Sequence, residues 1–311
     1  MIEPPSLEAY HKWRQAADRG RARVRNEVED QHGAPTRKPS VSIVTAVRNA
    51  AGSLERAMQS VLAQSHPRIE YILIDGGSAD GTLDVVRRHA DRLAFWISEP
   101  DRGISDAFNK GVAAAGGEFI GLLNADDWME PDQIERAVAA LERTGADFVF
   151  GDLVYHDPAG RAVHRVVGDP RYAKVIGSRM PEVNHPTLLA RRAMYERIGL
   201  FDLRYRAAMD YDWLLRAHLA GGRGAHDPGI VAHMTLAGVS DRAYGSALAE
   251  VRAIAIRHGQ PAIKAWPLYG YRVAKGAAQR ALRCLAPEPL YAVARRLVNR
   301  SYRPYRPRAG E

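Results

Sequence analysis

From residue 40 onward the chain alternates between two hydrophobic periods, and this alternation restricts the available folds more than any other feature. "SVSIVTAV" (40–47), "IEYILIDGG", "LAFWISEP" and "EFIGLLNA" are short apolar runs, the first β-branched, with the composition of buried strands. Between them, "NAAGSLERAMQSVLAQ" places Leu54, Ala57, Met58, Val61 and Leu62 at helical spacing, and "DGTLDVVRRHA" starts behind Ser78, Asp80 and Thr82, which suit a helix opening. "GISDAFNKGVAAAGG" continues the series. Strand and helix recur about every 25–30 residues, which predicts βαβ units around a mostly parallel central sheet, an α/β fold. Ligands of such sheets bind beyond the carboxyl ends of the strands. Asp75 and the Asp126–Asp127 pair both close a strand, so they are expected to converge on one crevice.

Further along, "PDQIERAVAALERTG" predicts a helix with Pro131 and Asp132 in its first turn, and "ADFVFGDLVYHD" a strand leading into the turn "DPAGR". Residues 162–190 are less regular, and "RAMYERIGLFD" and "MDYDWLLRAHLAGG" supply two more helices. Residues 1–38 read as an N-terminal helical appendage, with a helix around 7–30. Residues 39–240 read as the central domain, and 241–311 as a basic, mainly helical extension ending in a flexible tail. Of the 311 residues 46% are hydrophobic, enough for one large core or two modest ones. The single cysteine, Cys284, excludes an intrachain disulfide, and the lack of a leader pattern or long apolar run predicts a cytoplasmic protein without a spanning helix.

The net charge of +8 is uneven: residues 261–311 carry eleven Lys or Arg against Glu288 and Glu311. That +9 leaves −1 for the remainder, which argues against a nucleic-acid binder. The tail's charges, interleaved with Trp266, Tyr269 and Tyr271, suit an anionic membrane surface on the inner face of the cell membrane. A helical cap on the central domain suits them as well.

Four stretches carry chemistry. Asp75 in "IDGGSADGT" can accept a hydrogen bond from a base or ribose, with glycines allowing close passage; a capped strand-to-helix turn would look the same. In "SEPDRGISDAFNKG", Asp101, Arg102, Asp106 and Lys110 surround a glycine turn; a basic group there can hold phosphate oxygens or join ordinary salt bridges, and Ser105 can cap the next helix. Asn124, Asp126 and Asp127 deliver hard oxygens to a sheet edge, which suits Mg²⁺ or Mn²⁺ shared with substrate phosphates. Asp210 and Asp212, two apart at a helix start, face different ways, so at most one enters the crevice; a carboxylate near an acceptor hydroxyl can act as general base. His185 and His233 each have the chemistry to ligate a cation or touch a phosphate, or to serve a structural role.

Taken in order, "VSIVTAVRNA", "IDGGSADGT", "SEPDRGISDAFNKG", "GEFIGLLNADDW", "NHPTLLARR" and "GLFDLRYRAAMDYDWLLR" resemble the family 2 inverting glycosyltransferases over about residues 40–240. The resemblance implies a GT-A fold, Rossmann-like, and a nucleotide-sugar donor. It places Thr45, Val47, Arg48 and Asp75 at the base, and Asn124, Ala125 and Asp126 at the ribose and ion. Asp127 and Asp126 would hold Mn²⁺ or Mg²⁺, with His233 as a further ligand. Asp101, Lys110 and His185 would lie near the donor, and Asp210 would be the catalytic base. The sequence departs from the family pattern at Met209, where an acid precedes the base, and at Asn124, where an acid opens the metal motif. The donor base stays open among UDP, GDP and dTDP sugars, and the acceptor is a saccharide or lipid-linked saccharide. A nucleotidyltransferase or a noncatalytic sugar-nucleotide-binding scaffold would use many of the same features.

Overall fold

The computed structural model describes residues 4–21, 39–236, 244–263, 266–267, 269–274 and 302–305. A short 3₁₀ turn, Leu7–Tyr10, leads into α1 (His11–Arg21); the rest of the predicted 7–30 helix lies outside the described residues. β1 (Val41–Val47) is buried at every position, as a strand covered on both faces must be. It pairs in parallel with β2 (Ile69–Asp75) on one side and with β4 (Phe119–Asn124) on the other, and β3 (Phe95–Ser98) joins β2 in parallel. The crossovers between these strands are α2 (Leu54–Leu62), α3 (Thr82–Arg88) and α4 (Ile104–Ala114). α2 buries Leu54, Ala57, Met58 and Val61, the stripe its spacing predicts.

The mostly parallel expectation holds for this half and needs correction for the other, because the whole sheet is mixed. Beyond β4 come β5 (Trp128–Met129), α5 (Gln133–Thr144), β6 (Phe148–His156), β7 (Ala162–Val166), α6 (Tyr172–Val175), β8 (Leu189–Arg191) and α7 (Arg192–Ile198). α8 (Met209–Leu219), β9 (Gly224–Thr235), α9 (Tyr244–Arg257) and β10 (Tyr302–Pro304) complete the series. β8 runs antiparallel to both β4 and β6, β7 is antiparallel to β6, and β9 is parallel to β6 while pairing antiparallel with β5. The cause at β7 is a tight turn: Asp157 accepts hydrogen bonds from the N–H groups of Ala159 and Arg161, and Gly160 takes φ +81°. A turn this short returns the chain beside itself, whereas a parallel neighbour needs a crossover. Helix starts also move slightly, since Pro131 and Asp132 precede α5 and Ser105 lies inside α4.

The sheet divides the core by strand alternation. Val44, Ala46, Ile72, Ile74 and Leu122 face one apolar layer with Phe108, Phe148 and Trp213; Val41, Ile43, Tyr71, Leu73 and Leu123 face the other with Leu54, Met58 and Leu141. Tyr10 and Trp13, before and within α1, and Val251 and Ile254 of α9 belong to the first layer. Both flanking segments therefore share a core with the central domain. Among the described residues no helix is long and apolar enough to cross a membrane.

β9 bulges where it passes Gly151 of β6, between the pairs Phe150–His226 and Asp152–Val231. A Cβ at Gly151 would lie 1.9 Å from the Ile230 carbonyl oxygen, and backbone cannot swing aside as a side chain can. Gly151→Ala is expected to cost at least about 2 kcal/mol in urea unfolding; wild-type stability would show that the β6–β9 contact is looser than this.

Candidate functional site

Strand register assembles the crevice. Val47 is paired with Asp75 and Ala46 with Asn124, so the ends of β1, β2 and β4 lie side by side. Thr45 and Val47 are buried in this edge, the Thr45 hydroxyl 3.1 Å from that of Tyr71, while Arg48 is exposed at its lip. Gly76 lets the neighbouring chain in: a Cβ there would meet Asp101 Oδ2 at 2.2 Å and the Arg48 side chain at 3.5 Å. Arg48, Gly76 and Asp101 are thereby drawn together.

Asp75 is fully buried. Its Oδ2 accepts from the N–H groups of Gly77 and Ser78 and from the Ser98 hydroxyl, and its Oδ1 accepts from the Ser78 hydroxyl. A carboxylate offers about four lone-pair positions, and these four donors account for all of them. Lys110 is held by groups of its own. Only 2% exposed, its Nζ lies 2.7 Å from Glu99 Oε1 and donates to the Pro100 carbonyl, under the Trp13 ring. Trp13 donates to the same Glu99 oxygen, and Tyr10 to Asp106 at 2.5 Å. The lysine thus fastens α1 to α4.

At the end of β4, the Asn124 amide donates to Asp127 Oδ2 at 2.9 Å, yet Asn124 Oδ1 and Asp127 Oδ1 are buried without a hydrogen-bond partner among the described residues. Ala125 is buried beside them and Asp126 is partly exposed. Burial, and then the charge of Asp126, hold the Asp127 carboxyl well above the usual carboxylate range; Asn124 and Arg56 pull it back. Two unpaired oxygens beside a carboxylate pair are a donor set for a hard cation. Among the described residues no three His, Cys, Asp or Glu side chains are grouped to hold a metal alone, so a bound ion would take further oxygens from substrate or water.

His233 has other work. Gly160 O accepts from His156 Nδ1, leaving His156 Nε2 as acceptor toward His233 Nδ1, while Glu130 Oε1 lies 2.6 Å from His233 Nε2. Both ring nitrogens of His233 are thus engaged by protein groups rather than held open for a cation. Its ring stacks on Trp128, whose ring also carries the Arg56 guanidinium 3.5 Å from its centroid. Arg56 and Trp128 escaped the sequence reading, since a helix-surface arginine and a residue after an acidic pair have no local signature.

Asp210 opens α8, where its Oδ1 accepts from the Tyr211 N–H at 2.8 Å. It lines an apolar pocket with His185, Leu122 of β4, Tyr195, Phe201 and Trp213. Burial, reinforced by the charge of Glu250, pushes the Asp210 carboxyl up to about 6, within reach of general-base service near neutrality. Burial drives His185 down to about 4, keeping its imidazole neutral, and its Nε2 has no partner among the described residues. Asp212 turns away to Arg216 and His258. Met209 is buried, its sulfur 3.0 Å from the Ser105 hydroxyl.

A family model described as Glycosyl transferase family 2 matches residues 42–200, a span that includes Asp75, Asp127 and His185 and stops short of Asp210. An uncharacterized glycosyltransferase of Mycobacterium tuberculosis is 33% identical over 193 residues, 59% of this chain and 71% of that protein. A PGL/p-HBAD biosynthesis glycosyltransferase of Mycobacterium bovis is 31% identical over 183 residues, 57% of this chain and 69% of its own length. The mannosyltransferase PcManGT from Pyrobaculum calidifontis, in complex with GDP-Man and Mn²⁺, is alike in fold: TM-score 0.57 at 22% identity, over 93% of this chain and 88% of that one.

The weakened acidity of Asp210 has a thermodynamic consequence. The folded protein holds this proton up to about pH 6 against an ordinary value of 3.8, so the associated stability is present below the unfolded value and lost as pH rises through 6. Asp210→Asn should therefore melt roughly 2–4 °C above wild type at pH 8 and level with it at pH 4. A gap that does not change with pH would show that Asp210 is not desolvated.

Proposed function

Because the chain belongs to glycosyl transferase family 2, we propose that it is an inverting enzyme moving a sugar from a nucleoside-diphosphate donor to a hydroxyl acceptor. The observation that carries this reading is the pair of unpaired buried oxygens, Asn124 Oδ1 and Asp127 Oδ1, at the end of β4. Asp127, Asp126 and Asn124 would hold Mn²⁺ or Mg²⁺, which when bound supplies positive charge to the diphosphate. The Mn²⁺ and GDP-Man bound by PcManGT support this choice of ligands. Asp210 takes the proton from the acceptor hydroxyl as its oxygen bonds to the anomeric carbon. The bond from that carbon to the diphosphate breaks, and the product is inverted. The unpaired Nε2 of neutral His185 is free to hydrogen-bond donor or acceptor from the same pocket.

The donor is a UDP-, GDP- or dTDP-sugar, and the acceptor a saccharide or lipid-linked saccharide of polysaccharide or glycolipid assembly. A panel of nucleotide sugars with Mn²⁺ or Mg²⁺, and chelator controls, should give metal-dependent release of one nucleoside diphosphate. Asp210→Asn should cut turnover about 10²–10⁴-fold while keeping donor affinity. Unchanged turnover would remove Asp210 from the role; binding without turnover in the wild type would favour a scaffold, for which Met209 is the motive. Pyrophosphate release from nucleoside triphosphates would point to nucleotidyl transfer.

The C-terminal segment adds a surface. Ile263, Trp266 and Tyr271 are 82%, 55% and 64% exposed, in a stretch whose sequence is strongly basic; most of 275–311 lies outside the described residues. Aromatic and apolar side chains beside cationic ones suit the headgroup region of an anionic bilayer, where a lipid-linked acceptor would be met. Cosedimentation should show binding to vesicles containing phosphatidylglycerol and roughly tenfold weaker binding after Ile263→Ser with Trp266→Ser. Equal binding to neutral vesicles would count against the surface.

A further inference from the structure

α8 carries Asp210 at its second residue, and the peptide N–H groups entering a helix have no partner within it. Ala208 holds the cap position and offers no side-chain acceptor. One side chain from another helix holds the cap residue and the two residues leading into it. The carboxylate of Glu250, on α9, accepts from the N–H groups of Arg206 at 3.1 Å, Ala207 at 2.8 Å and Ala208 at 2.8 Å. An anion at a helix N-terminus also meets the positive end of the helix dipole.

Two further pairs fasten α9 here. His258 Nε2 lies 3.1 Å from Asp212 Oδ1, and Arg257 lies 3.6 Å from Asp202. Val251 and Ile254 enter the same apolar layer as Trp213. The position directly before Asp210 is Met209, which cannot contribute charge.

We propose that Glu250 is the positioning residue for the base: it fixes the cap and the residues that lead into α8, and it supplies from α9 the neighbouring negative charge that Met209 lacks. The inference rests on Asp210 being that base. It makes α9 part of the active centre, although α9 lies beyond residue 200, where the family match ends. Among the described residues, His185 and Tyr195 line the pocket with Asp210 and Tyr211 follows it on α8, while Asp212 is held by Arg216 and His258. His185 is held neutral by burial, and neither tyrosine carries charge near neutral pH. The charge of Glu250 is therefore not cancelled from those directions, and it raises the Asp210 carboxyl in the same direction as burial does.

The test uses the full chain with Glu250→Gln and Glu250→Ala. Glutamine keeps an oxygen acceptor for the three N–H groups and loses the charge; alanine loses both. The melting-temperature gap between Asp210→Asn and its parent, followed against pH, reads the Asp210 titration without needing activity. In the Glu250→Gln background that gap should open roughly half a pH unit lower, and the acid limb of kcat/KM should move with it. Glu250→Ala should lower kcat at least about tenfold, by disordering the base, and leave the donor KM within twofold. An unmoved titration in Glu250→Gln overturns the proposal, as does an unchanged kcat in a folded Glu250→Ala. Should the alanine variant fail to fold, the glutamine titration still decides. Loss of turnover in Asp210→Asn with no shift in Glu250→Gln sinks this inference alone, whereas full turnover in Asp210→Asn sinks the base assignment beneath it.

Discussion

The hydrogen-bonded register of β1 between β2 and β4 is the constraint on which the remaining geometry depends. β1 is buried over its whole length, so a one-residue slip would exchange its two apolar faces and break both layers of the core. The same register leaves Val47 level with Asp75 and Ala46 level with Asn124. Packing and chemistry are thus set by one alignment, and the acidic groups reach the sheet edge because the hydrophobic ones are satisfied behind them.

Placing carboxylates in such a setting has an electrostatic cost, and the structure distributes it unevenly. Asp75 is solvated by four protein donors, and Asp212 by an arginine and a histidine. Asp127 and Asp210 lack such support, and both are shifted upward chiefly by burial. These two under-solvated carboxylates are the ones proposed above to meet a cation and to accept a proton.

Much of the first half of the fold was legible because its signals are local. A β-branched run, a helical stripe and a strand-end Asp can each be read within about ten residues, and β1 to β4 appear where the sequence places them. The second half resisted because its partners are distant or its strands short. β8 has three residues, and β9 pairs with β6 and β5, both far earlier in the chain. The site divides the same way. Asp75, Asp127 and Asp210 announce themselves by position after a strand or at a helix start. Whether Lys110 faces the crevice, or which atoms His233 spends its nitrogens on, depends on Trp13, Glu130 and His156, and no spacing rule links these residues. Glu250 is the extreme case, since an acid inside an amphipathic helix reads as solvent-facing until another helix end is placed against it.

The contact between α1 and α4 bears on how the chain assembles. Tyr10 bonds to a residue 96 positions later, and Trp13 to one 86 positions later. During synthesis α1 therefore emerges before its partners on and beside α4, and its aromatic side chains wait through β1, β2 and β3. Until Trp13 has those partners, Lys110 keeps its access to water on that side.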